Sequence, residues 1–201
     1  MLIFSDPGDV LAAFAEPALV PPRPGGVEGG MAWLRRRVAR FSSGEVHARR
    51  RAIAEKYLAA VEPGTLRPLE GEDRRRFPAR ALAEAIGLGS AIVDDVLLAA
   101  AAYHGEDSAA ADEAVERLRA QVPGDDEECA NLIGLLIQAC ATTGPPVVAT
   151  KRVAVRDTEI GGVPVPAGTL VTLRLEGNPF GAEPRVCPGR AHALAMLEEL
   201  R

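Results

Sequence analysis

The segment from about Asp125 to Thr143 most constrains the fold, because its middle reads Leu132-Ile133-Gly134-Leu135-Leu136-Ile137. A helix that is apolar on every side is expected to cross a core rather than lie on a surface. The other helices must then pack around it. Asp6 as N-cap with Pro7 at the first helical position predicts a short helix over Asp6 to Ala15. Met31 to Phe41 places Trp33, Leu34, Val38 and Phe41 near one helical face and arginines on the other. A further helix is expected from near Ser43, and two more over Arg80 to Leu88 and Ala91 to Tyr103, separated by Gly87-Leu88-Gly89. Asp107 to Gln121, with alternating acids and arginines, reads as a solvent-facing helix. Pro17 to Gly30 is turn-rich and is expected to be loop; within it Pro21-Pro22-Arg23-Pro24-Gly25-Gly26 is too small and too proline-rich for regular structure and should lie over the surface or a pocket. Pro63 to Pro78 reads as a charged connection. Val153 to Leu175 alternates in polarity between turns at Gly161-Gly162 and Pro166-Ala167-Gly168, which predicts a small β-hairpin unit. These segments predict a mainly α fold with a small β-unit, in a single domain over residues 1–201.

Composition excludes several functions. A formal charge of -5 and the lack of a basic tract with interleaved aromatics argue against a nucleic-acid partner. No run approaches a membrane span, and Met1-Leu-Ile-Phe-Ser-Asp-Pro7 lacks the charged and apolar regions of a secretory leader, so no membrane partner is expected. Cys129, Cys140 and Cys187 are odd in number and fit neither a zinc site nor a disulfide framework, which points to a reducing, cytoplasmic setting. Lys56 and Lys151 are the only lysines, so the positive charge is almost all arginine, which keeps its charge when partly buried against carboxylates.

Two stretches suggest chemistry. In Phe180-Gly-Ala-Glu-Pro-Arg-Val-Cys187-Pro-Gly-Arg-Ala-His-Ala-Leu-Ala-Met196 a tight loop runs into a helix, and a thiol at a helix N-terminus is favoured as thiolate. A soft thiolate on a Pro/Gly loop is a good axial ligand for iron, and a haem-thiolate bond needs one cysteine. The alternative is a cysteine packed under a helix start. In the helix that begins near Ser43, His47 and Arg51 lie one turn apart on one face and present two donors. The alternative there is a solvated histidine among arginines.

Phe180, Arg185, Cys187 and Gly189 resemble the haem-binding signature of cytochromes P450, with Glu183 where that family has glycine. Phe41, Gly44, His47 and Arg51 resemble the family's Phe-x-x-Gly…His-x-x-x-Arg helix. The apolar helix resembles its long central helix, with Thr143 in the place of the family's threonine, Thr142 in that of its acid and Cys140 in that of a glycine. The segment Pro145 to Arg152 follows directly, so the family's Glu-x-x-Arg helix is missing. The irregular meander is reduced to Glu176-Gly-Asn-Pro179.

The resemblance therefore implies a reduced P450-like fold that holds one haem b through an iron bond to Cys187. The propionates would be met by His47, Arg51, Arg152 and Arg185, and protons handled by Thr142 and Thr143. It implies oxidation of a small, mostly apolar substrate by monooxygenase- or peroxygenase-type chemistry in secondary metabolism, with a ferredoxin-type electron donor if oxygen is used. Two other readings stand beside it: a haem enzyme for a non-oxygenating conversion, and a degenerate family member acting as a binding or scaffold protein. A shortened core also suggests a homodimer that covers exposed apolar surface.

Overall fold

Asp6 closes the open end of the first helix, its Oδ1 accepting from the amides of Gly8 at 2.8 Å and Asp9 at 3.1 Å. The computed structural model describes residues 1–26, 28–103, 105, 108–144 and 148–201. The chain divides into two units, Met1–Arg23 with Pro146–Cys187, and Pro24–Pro145 with Pro188–Arg201.

The first unit contains β1 (Leu2–Phe4), α1 (Pro7–Ala15), β2 (Leu19–Val20), β3 (Ala149–Ala154), β4 (Thr158–Ile160), β5 (Val163–Val165) and β6 (Leu170–Arg174). Its four-stranded sheet has the order β1-β6-β3-β2, with β1 parallel to β6 and both β2 and β6 antiparallel to β3. Alternation places Val171 and Leu173 of β6 fully inside, against Val10, Ala13 and Phe14 of α1. The expected hairpin is β4 and β5, turning at Gly161-Gly162. Gly161 has φ 56°, and a Cβ there would lie 2.0 Å from Asp9 Oδ1, so only glycine fits. One expectation is corrected: Pro17 to Gly30 is not wholly irregular, since β2 lies within it and pairs Leu19 with Ala154. A two-residue strand has no period of its own, and its ladder partner makes it a strand.

The second unit is helical: α2 (Gly30–Arg37), α3 (Gly44–Ala59), α4 (Phe77–Ala85), α5 (Val93–Ala102), α6 (Ala109–Gln121), α7 (Asp126–Ala139) and α8 (Arg190–Glu199). As expected, α7 is core, with Leu132, Ile133 and Leu136 buried among Trp33, Leu34, Phe77, Val93 and Leu118. A Cβ on Gly134 would meet Val38 Cγ1 at 2.8 Å, so glycine permits the close approach there. Asn131, buried in the middle of α7, joins the break after α2: its Oδ1 accepts from the Ala39 amide at 2.9 Å and its Nδ2 donates to the carbonyls of Arg37 and Glu127 at 3.0 and 2.7 Å. The start of α2 is capped from α6, the Gly30 amide donating to Glu116 Oε1 and the Met31 amide to Asp112 Oδ1, both at 2.8 Å. The helix expected to reach Thr143 ends instead at Ala139 and tightens into a 3₁₀ turn over Cys140–Thr142. Among the described residues no helix is long and apolar enough to cross a membrane.

Glu127 of α7 accepts two bonds from Arg49 at 2.7 and 2.9 Å and one from Arg50 at 2.8 Å. Arg49 first, then Arg50, hold its carboxyl down at about 2, against an ordinary 4.5. A lowered folded-state value adds stability that is complete above about pH 4.5 and is lost as the pH falls toward about 2. Urea midpoints should therefore drop more steeply over that range in the wild type than in Glu127→Gln, and the two should converge near its acid end.

Candidate functional site

In the first unit, successive turns wind the chain toward Cys187. The Asn178 amide donates to Leu175 O at 2.9 Å, Gly181 to Asn178 O at 3.0 Å, Arg185 to Ala182 O at 2.8 Å, and Cys187 to Phe180 O at 2.8 Å. The last bond closes a loop between the leading phenylalanine and the cysteine of the motif. Gly181 supplies the left-handed backbone with φ 69°, and a Cβ there would stand 3.5 Å from the Phe14 ring. No described residue other than glycine has positive φ, so Glu183 occupies a conformation open to any side chain. The glycine that stands at this place in the family is not required here for the turn. Cys187 is half-buried and in no disulfide. Burial pushes the thiols of Cys129 and Cys140 up to about 11, so both stay protonated at neutral pH and are poor metal ligands.

Arg152 projects from β3 and is only 6% exposed. Its Nη1 donates to Thr150 Oγ1 at 3.0 Å and Lys151 O at 2.8 Å, and its guanidinium carbon lies 5.2 Å from the Phe14 ring centroid. One ring thus packs against both Arg152 and the Gly181 turn. Phe14 is the shared packing partner that sequence reading missed, and no local signal marks it, since its partners lie far along the chain.

In the second unit, Phe41 ends a 3₁₀ turn over Ala39–Phe41 and packs on Tyr103 with ring centroids 5.7 Å apart. Gly44, with φ 59°, turns the chain into α3. His47 and Arg51 follow, half-buried and one turn apart on the same face, as their spacing predicts. Arg51 Nε donates to Glu55 Oε1 at 2.7 Å. Gly189 caps α8, and a Cβ on it would lie 3.6 Å from Leu58 Cδ1 near the end of α3. Thr142 Oγ1 donates to Ala139 O at 2.9 Å and Thr143 Oγ1 to Cys140 O at 3.2 Å, both bonding back within their own turn. Each oxygen keeps lone pairs that can accept a hydrogen bond. His104, and Pro145, Pro146 and Val147 of the segment before β3, lie outside the described residues.

In the first unit a cysteine on a hydrogen-bonded loop and a buried arginine, and in the second a half-buried His/Arg pair on α3, are donor types that a haem-thiolate site uses. Among the described residues no cluster of three or more His, Cys, Asp or Glu could hold a bare metal ion.

No protein-family model and no curated protein sequence matches the chain. Solved structures do. P450BioI, determined in complex with an acyl carrier protein ligated to hexadec-9Z-enoic acid, is similar at 14% identity and TM-score 0.67, over 95% of this chain and 81% of that one. Mycobacterium smegmatis CYP164A2 is similar at 20% identity and TM-score 0.65, over 98% and 81%. The cytochrome P450 enzyme CxnD, which serves C–S bond formation in chuangxinmycin biosynthesis, is similar at 14% identity and TM-score 0.69, over 95% and 76%. The chain thus has the cytochrome P450 fold in a shortened form.

Proposed function

We propose that this protein is a haem-thiolate enzyme that oxidises a small, mostly apolar molecule, with Cys187 as the iron ligand and residues 1–201 acting as one haem-binding body. The observation that carries the reading is the loop closed by the Cys187 amide on the Phe180 carbonyl at 2.8 Å, which holds a half-buried thiol in the register of the P450 signature. Haem b, when bound, would supply activation of oxygen or peroxide at iron, with the thiolate favouring O–O cleavage. Arg152, Arg185, His47 and Arg51 would meet the propionates. Charge-assisted bonds from arginine to carboxylate orient a group as well as attract it. Cys187, held on its loop, would set the ligand's approach.

Thr143 and Thr142 would accept and pass protons through their hydroxyls. A threonine is too weak an acid to supply a proton at neutral pH, so ordered water would have to refill the relay. Peroxide brings its own protons and electrons, and its use fits these residues better than oxygen with a ferredoxin-type donor. The role of CxnD in chuangxinmycin biosynthesis supports secondary metabolism as the setting. A cytoplasmic location accords with three cysteines in no disulfide.

The test is haem retention. His47→Ala and Arg51→Ala each remove a charge-assisted bond, so haem transfer to an apo-acceptor should be faster by about one to two orders of magnitude while the fold persists. A chain that stays colourless when expressed with haem would overturn the proposal in favour of a scaffold role.

A further inference from the structure

His192 is an imidazole in an apolar place. It stands in the first turn of α8 and is 8% exposed. Its Nε2 lies 2.9 Å from the carbonyl of Val61, across 131 residues of sequence. A carbonyl can only accept, so Nε2 carries the proton and donates. Val61 lies just beyond the C-cap of α3, Ala60, and is itself buried. The other ring nitrogen, Nδ1, is buried with no hydrogen-bond partner among the described residues. A buried polar atom without a partner is unfavourable, and a leucine would avoid it, so the Nε2 bond is what the imidazole contributes.

Gly189, the N-cap of α8, lies beside Leu58, where an added Cβ would stand 3.6 Å from Leu58 Cδ1. The first turn of α8 is therefore held by the His192 hydrogen bond, at a place where Gly189 leaves room for Leu58 near the end of α3. Cys187 is two residues upstream of Gly189, with Pro188 between, and its own amide is tied back to Phe180. Upstream, the backbone of the thiol is tied by its own amide within the first unit; downstream, the start of α8 is tied by His192 within the second.

We infer that His192 is a positioning residue for Cys187: its Nε2–H clamps the start of α8 to the Val61 carbonyl and so fixes the downstream flank of the thiol loop. Its meaning for catalysis rests on the haem-thiolate reading. The clamp itself can be tested without haem, because a half-buried thiol becomes reactive in proportion to local opening.

The experiment measures iodoacetamide alkylation of Cys187 by peptide mass spectrometry in the full-length chain, and the carbon monoxide difference spectrum after haem addition. His192→Leu removes the donor at similar volume, and His192→Gln places an amide N–H where Nε2 stood. Loss of one buried bond should raise alkylation at Cys187 about tenfold in the leucine variant, while the glutamine variant stays within about twofold of wild type. A merely space-filling role would not give that rescue. If the leucine variant does not fold, His192→Met, which also lacks a donor, takes its place. Equal alkylation in wild type and the donor-free variant, or equal gains in the leucine and glutamine variants, would overturn the inference. The alkylation pattern without any thiolate-type spectrum in wild type would sustain the clamp and sink the haem reading. A thiolate-type spectrum with alkylation unmoved would do the reverse.

Discussion

Cys187→Ala should abolish the strongly red-shifted Soret band of the reduced carbon monoxide complex, while Cys129→Ala and Cys140→Ala keep it. Only a thiolate trans to carbon monoxide produces that band. A thiolate is what the two inner cysteines cannot offer, since burial holds both thiols at about 11. Cys129 lies 5% exposed in the helical core, and Cys140 Sγ faces the Leu136 carbonyl at 3.5 Å, so neither presents sulfur to a ligand. Cys187 is half-buried on a loop fixed at its own amide. The measurement is the spectrum of each variant at matched haem load. Loss of the band in Cys129→Ala or Cys140→Ala with an intact fold, or its survival in Cys187→Ala, would show that the ligand is wrongly assigned.

The largest effect on stability is expected at Arg80. Its Nε and Nη2 grip both oxygens of Glu72 at 2.9 and 2.8 Å, Nη1 donates to Glu84 at 2.9 Å, and Nη2 also reaches the Arg67 carbonyl at 2.7 Å. Both side chains of the Arg80–Glu72 pair are 9% exposed. The Arg80 guanidinium holds the Glu72 carboxyl below its usual range, and the carboxylates in turn raise Arg80 above its own. Arg80→Ala would leave Glu72 buried without its partner, which costs about 3 to 5 kcal/mol. Replacing both by apolar residues of similar volume should recover much of that loss, because the penalty comes from the stranded charge rather than from the missing attraction. Urea denaturation of Arg80→Ala, and of the double variant Arg80→Met/Glu72→Leu, separates the two terms. A single variant within about 1 kcal/mol of wild type would mean that water already reaches the pair.

What could be read from the sequence was local or motif-borne. Asp6 caps its helix through amides two and three residues on, so the cap and its partners sit in one short window. The all-apolar face of α7 needs no partner to be recognised as core. His47 and Arg51 share a face because of helical pitch alone. The thiol loop was legible as a motif, although its closing bond from Cys187 to Phe180 became visible only in three dimensions.

Tertiary structure decided the rest. β1 pairs Leu2 with Val171 and β2 pairs Leu19 with Ala154, and strands of three and two residues have no periodicity to announce them. Phe14 meets Arg152, Asn131 meets Arg37 and Ala39, and His192 meets Val61, each over about ninety residues or more. Glu72 reads as part of a charged connection and Arg80 as the start of a helix until folding encloses them as a pair. The end of α7 shows the same division within one helix: apolar pattern carries it into the core, and the Thr142 and Thr143 hydroxyls, bonded to carbonyls three residues back, accompany its tightening at Ala139. Local propensity and capping act within a turn of helix, whereas burial and long-range hydrogen bonds exist only once distant segments are brought together, and that is where the surroundings of the thiol are set.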